Sequence, residues 1–142
     1  MPRISDILMD IRYPSIKMIS FHIITIFPES ISPYADSSIL KRAQEKKLIK
    51  IDFTNPRNFT NDKHNSVDDA PYGGGPGMVM KIEPMYKAVQ SVTKKLTNKK
   101  TKKRIILFST RGTLLTQKEA KRLARYDHLI LVCGRYEGVD ER

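Results

Sequence analysis

Four strand-length apolar runs, separated by helix-patterned stretches, constrain this chain more than any other feature. They are Phe21–Phe27, Leu48–Phe53, Arg104–Phe108 and His128–Cys133, all rich in Ile, Leu, Val or Phe. The first and last scarcely alternate between apolar and polar, the pattern of a strand covered on both faces. None approaches the roughly 20 apolar residues needed to span a bilayer. Pro28 is expected to end the first strand.

The stretches between the runs read as helices. Ser37 and Ser38 can cap a helix through Ile39, Leu40 and Ala43, with Lys46 and Lys47 near its C-terminus, where the helix dipole favours cations. From Glu83 to Leu96, the residues Met85, Ala88, Val89, Val92 and Leu96 fall on one helical face. Thr116-Gln-Lys-Glu119 is a capping box opening a helix through Ala124. This order predicts an α/β fold, a parallel sheet with helices on both faces and right-handed crossovers. Ligands of such sheets sit beyond the carboxyl ends of the strands. The loops expected at that edge are Ser109–Gly112 and Gly134–Gly138. The chain stops soon after the His128–Cys133 run, so that strand is expected to have an unpaired apolar flank and the domain to be incomplete at its C-terminus.

Asn61–Met78 is polar and holds four of the seven glycines, at Gly73, Gly74, Gly75 and Gly77. Glycine admits positive φ and lets backbone approach a ligand closely, while Pro71 and Pro76 fix their own φ. It is no Walker loop, because Gly77 is followed by Met78 and Val79, and its spacing is not the dinucleotide fingerprint. The glycines point to backbone lying against something planar or bulky, or to a mobile hinge. Asp68 and Asp69 offer acid–base or cation-binding groups, although adjacent carboxylates are more often turn-formers and caps. His64 can contact phosphate or act as a base, yet a lone polar-loop histidine usually does neither. Gly134-Arg-Tyr-Glu-Gly138 presents backbone donors, a cation, an aromatic face and a carboxylate after a buried strand. That set suits a purine edge, and it also reads as an ordinary turn with surface charges.

The formal net charge of +11 attracts polyanions, since each neutralised phosphate releases condensed counterions. Much of the excess lies in Lys94–Arg104 and Lys118–Arg125. A coding bias toward Lys, Ile and Asn produces the same composition with no partner at all. The single cysteine, Cys133, excludes an internal disulfide and sits in an apolar run, as an inert thiol does. No His/Cys cluster has metal-ligand spacing, so no metal is expected. No signal-peptide core opens the chain, and Asp6 and Asp10 argue against a transit peptide, so a cytoplasmic, non-membrane protein is expected.

Taken together, Ile24-Thr-Ile-Phe-Pro-Glu29, Pro56-Arg-Asn-Phe-Thr60, Val67–Met78 and Ile130–Arg142 resemble the bacterial tRNA (guanine-N1)-methyltransferases, the TrmD family. The likeness runs from Met18 to Arg142, leaving residues 1–17 as an extension outside it. It implies a SPOUT-class methyltransferase domain with a trefoil knot, incomplete at its C-terminus here. It further implies S-adenosyl-L-methionine as methyl donor, N1 of the guanosine 3′ of the tRNA anticodon as target, and a homodimer. Carried over residue by residue, Leu107, Phe108 and Ser109 line one side of the cofactor site and Gly134 and Tyr136 the other. Asp68, Glu137, His64, Gly75 and Gly77 border the target guanine or tRNA. The catalytic aspartate is expected beyond Arg142, with none in this chain. Ser109-Thr110 departs from the family's usual Ser-Pro. The rival readings are a non-catalytic RNA- or anion-binding module and, more weakly, a nucleotide-phosphate enzyme using the glycine loop.

Overall fold

Backbone hydrogen bonding joins the four apolar runs into one sheet. The computed structural model describes residues 17–142, so the expected N-terminal extension lies outside the described residues except for Lys17. In chain order the elements are β1 (Ile19–Ile24), α1 (Pro28–Ala35), α2 (Ser38–Glu45), β2 (Ile49–Thr54), a 3-10 turn (Pro56–Phe59), β3 (Asp68–Asp69), β4 (Val79–Met80), α3 (Ile82–Lys95), β5 (Lys103–Leu107), α4 (Gln117–Leu123) and β6 (His128–Val132). The main sheet has the order β2-β1-β6-β5, and every pair in it is parallel. Among the described residues, no helix is long and apolar enough to cross a membrane.

The core lies between β1, β6 and α3. Ile24 and Ile130 are fully buried, and they cluster with Val132, Val67, Met80 and the Met85, Ala88 and Val92 stripe of α3. Each fully buried side chain of this size contributes about 1.5–3 kcal/mol. The step from β1 to β2 runs in the opposite direction across the sheet from the step from β2 to β5. Right-handed crossovers therefore set α1 and α2 on one face and α3 on the other.

Four local expectations change. Ser37 stands at the N-cap of α2 but makes no side-chain cap, its hydroxyl donating instead to Tyr34 O at 2.8 Å. Pro28 does not simply end β1; it opens α1 at the first helical position, where its missing N–H costs nothing. Asp68 and Asp69 form no turn, and instead pair antiparallel with Met80 and Val79 in a two-stranded ribbon. The expected unpaired flank of Leu129–Cys133 is absent, because β6 is bonded to β1 on one side and β5 on the other. The edges are β2 and β5. α3 packs over β1 and β6, while Ile105 and Leu107 on β5 remain about half exposed (50% and 52%). Thr116 caps α4 as expected, accepting from the Glu119 N–H at 3.4 Å.

On the face covered by α3, His22 Nε2 and His128 Nδ1 meet at 3.2 Å, with Asp52 3.8 Å from His22 Nδ1. Burial holds both imidazoles below their ordinary pKa, and Asp52 only partly offsets this at His22. One neutral ring can donate to the other, but two protonated rings bring donor against donor. As pH falls, the unfolded chain binds these protons before the folded one does. Stability is therefore full above the ordinary histidine pKa and declines from about pH 7 toward pH 5. Urea unfolding across that window should show the decline, and His22→Asn should flatten it.

Candidate functional site

The carboxyl ends of β5 and β6 open into a cleft of about 1150 Å³. Its first wall is the segment leaving β5. Phe108 donates its N–H to Val132 O at 3.1 Å, extending the ladder one residue past the strand. The chain then turns at Ser109, whose carbonyl accepts from Gly112 N and whose hydroxyl accepts from Arg111 N at 3.2 Å. That hydroxyl is thus already engaged with the turn. Leu107 and Phe108 stand about half exposed at the rim.

The second wall is the segment after β6, and Met80 holds it. Met80 N–H donates to Gly138 O at 2.9 Å, Met80 O accepts from Asp140 N at 3.1 Å, and Met78 O accepts from Glu137 N at 3.0 Å. The Met80 thioether, fully buried, lies 3.2 Å from Arg135 N. Within this frame Tyr136 has φ +58, a conformation uncommon outside glycine and one that aromatic residues rarely adopt unless their surroundings impose it. Arg135 stacks its guanidinium 4.6 Å from the centre of the Phe27 ring and 5.7 Å from that of Tyr136.

Pro71, Tyr72 and Val79 form the third wall, so the glycine-rich loop does reach this edge. Gly73, Gly74, Gly75 and Gly77 all have φ between +86 and +120. A Cβ on the first three would meet nothing within 4 Å, so their requirement is conformational. Only Gly77 answers the expectation of close approach. A Cβ there would fall 2.7 Å from Glu137 Cγ, so the bare backbone is the surface against which Glu137 lies.

The cleft is close to charge-balanced. Asp140 is bonded by Arg142 at 2.6 Å, and those hydrogen bonds lower its pKa to about 2. Arg142 also lies 4.2 Å over the exposed Tyr72 ring, and Arg111 pairs with Glu141. Arg135 and Glu137 make no ion pair among the described residues. Of the residues singled out from sequence, Leu107, Phe108, Ser109, Gly134, Tyr136 and Glu137 line the cleft. Gly77 supports Glu137 from behind, and Asp68 is held in the ribbon opposite Met80. Gly75 is in open loop, and exposed His64 lies in a turn closed by Asn65 N to Asp62 O, away from the cleft lining. The Asp140–Arg142 pair and Tyr72 lie within the motifs that carry the resemblance, but nothing local in the sequence marks them as partners. Their chemistry appears only when the two loops meet. Cys133 is half-buried and its thiol is pushed up by burial, as suits an inert side chain.

Gly77→Ala should cost about 1–3 kcal/mol, from positive φ and from collision with Glu137. Adding Glu137→Ala should restore the collision part but not the backbone part. Urea midpoints of both variants separate the two, and full additivity would exclude the contact.

Residues 19–142 match the family described as tRNA (Guanine-1)-methyltransferase TrmD. A tRNA (guanine-N(1)-)-methyltransferase of Dictyoglomus turgidum is 54% identical over 125 residues, covering 88% of this chain and 49% of that protein. One from Bacillus cereus (strain AH820) is 48% identical over 120 residues, covering 84% and 48%. The crystal structure of tRNA (m1G37) methyltransferase from Aquifex aeolicus superposes with a TM-score of 0.78 at 36% identity, over 89% of this chain and 55% of that one. The chain spans about half the length of the curated relatives it matches. With the parallel sheet and flanking helices shared as well, the chain belongs to the tRNA (guanine-1)-methyltransferase TrmD family.

Proposed function

We propose that this chain is part of an enzyme that transfers a methyl group from S-adenosyl-L-methionine to N1 of guanosine in tRNA, 3′ of the anticodon. The observation that carries the reading is the family match over residues 19–142, which takes in both loops that wall the cleft. A cytoplasmic homodimer and a knotted cofactor pocket belong to the same reading by resemblance to the family.

The residues present suit the donor. The cleft is large enough for a nucleoside-sized ligand, and Leu107, Phe108 and Tyr136 offer apolar and aromatic surface at its rim. In this reading Leu107, Phe108 and Ser109 hold one side of the donor and Gly134 and Tyr136 the other. When bound, S-adenosylmethionine supplies an electrophilic methyl group. Guanine N1 carries a proton, so the target must be both oriented and deprotonated. Glu137 has no cationic partner among the described residues, and a carboxylate can accept from the exocyclic N2–H donor of a guanine edge, leaving N1 open to the methyl group. It orients the base here, with Gly77 behind it and Asp68, Gly75 and His64 toward the tRNA. Proton removal is assigned to none of these residues. In this reading the proton acceptor is an aspartate outside residues 1–142, an expectation that rests on resemblance to the family alone.

Two measurements test this. Product tRNA from the gene product carrying this sequence should bear the methyl group on guanine N1, read by mass spectrometry of nucleosides. A methyl group on a carbon or a ribose oxygen would overturn the assignment. Residues 1–142 span about half the length of the matched relatives, so in this reading they supply only part of the donor's contacts. Purified, they should gain little thermal stability from S-adenosylmethionine, since a ligand raises stability only as far as it binds the native state, and should transfer no radiolabelled methyl in a single turnover. Robust transfer would mean that the proton acceptor lies within this chain.

A further inference from the structure

The chain's positive excess does not reside in the cleft. There, Arg111, Arg135 and Arg142 face Glu137, Asp140 and Glu141. The cations collect at the other end of the sheet. Because all four main strands are parallel, every segment leading into a strand arrives at one edge. Ile19 N donates to Leu48 O, Ser20 N to Asp127 O, and His128 N to Lys102 O, so the segments before β1, β2, β5 and β6 lie side by side. They bring Lys46 and Lys47 before β2, the run from Lys94 to Lys102 before β5, and Arg125 before β6. The carboxylates brought with them are Glu45 and Asp127. Asp127 is already committed, to the Lys102 N–H at 2.6 Å and to Lys17.

Some of the nearby cations have internal tasks. Lys103 donates to Leu96 O, and Arg122 is bonded to Glu119 at 2.7 Å. By contrast Lys94, Lys95, Lys99, Lys100 and Lys102 are exposed and make no side-chain ion pair among the described residues. α4 follows the cleft-wall loop and ends toward this edge. Its Lys118 and Lys121, with Arg125 just past its end, line a shallow hollow of about 510 Å³. Lysines scattered through the sequence thus become one basic edge. Five-residue strands separate it from the cleft by about 16 Å, and α4 forms a basic track between the two.

We propose that this edge is a separate docking surface for the phosphate backbone of helical RNA, binding without regard to sequence, while the cleft selects the nucleotide. RNA helices are engaged mainly through shape, 2′-hydroxyl and phosphate contacts, and exposed, unpaired lysines are suited to the phosphate part. The assignment of the RNA as substrate rests on the function proposed above; the binding surface does not.

The test uses the 142-residue chain, a tRNA transcript and a 16-base-pair RNA duplex lacking an anticodon loop. The combined variant Lys94→Ala, Lys95→Ala, Lys99→Ala and Lys100→Ala should bind both RNAs on the order of tenfold more weakly at moderate salt. Its log K against log salt plot should be shallower by about one unit per lost phosphate contact. Glu137→Gln should leave duplex affinity unchanged. An unchanged salt slope in the lysine variant, with its melting temperature intact, would overturn the proposal. So would an equal weakening toward poly-glutamate, which would mark a surface for any polyanion. Loss of duplex binding together with absence of guanine N1 methylation in the gene product would overturn the function and leave this surface standing. Normal methylation with unchanged duplex binding would do the reverse.

Discussion

The cleft exists because Met80 is bonded on both sides of its peptide to the segment that follows β6. Its N–H and carbonyl take Gly138 and Asp140, and its buried thioether faces Arg135 N. Without that clamp, the residues after β6 would leave the sheet as an unsupported tail. With it, the glycine-rich loop and the segment after β6 become one rigid corner. Tyr136 and Glu137 are then presented from a backbone that neither loop could hold by itself. The positive φ of Tyr136 is the conformational cost of that arrangement, offset by the hydrogen bonds on either side.

Gly77 shows how the same clamp reaches into side-chain chemistry. Glu137 lies where a β-carbon would stand at position 77, and it does so without a cationic partner among the described residues. Its neighbours Asp140 and Glu141 are each taken up by an arginine. Three carboxylates within five positions therefore end in different electrostatic situations. The unpaired one has its acceptor oxygens available for a ligand, while the paired ones brace the loop that carries it.

The division of charge follows from topology alone. A parallel sheet has two unlike edges, one where strands begin and one where they end. The cleft sits where β5 and β6 end, with cations and carboxylates in equal number. The lysine-rich connections sit where strands begin. Recognition of a particular nucleotide and attraction to a polyanion are thereby separated across the sheet, and the neutral cleft is free to discriminate by hydrogen bonding rather than by net charge.

The apolar runs and their lack of alternation were enough to predict a parallel sheet with helices on both faces, because a strand covered twice cannot afford polar residues on either side. The capping box at Thr116 and the helical stripe of Met85, Ala88 and Val92 were equally plain, since both depend on neighbours within a few residues. The family likeness was legible for the same reason: its motifs are contiguous. Strand order was not. Ending the chain near the last apolar run suggested an open flank there, whereas β6 inserts between β1 and β5, and no local pattern encodes which strands become neighbours. The reach of Tyr72 to Arg142, the bed that Gly77 provides for Glu137 and the short ribbon holding Asp68 likewise join residues far apart in the chain. The sequence by itself determined which segments would be strands, helices and conformationally special loops, because those choices are made over a few residues. Which loops meet, and so which side chains form a site, was decided only by the tertiary packing around Met80.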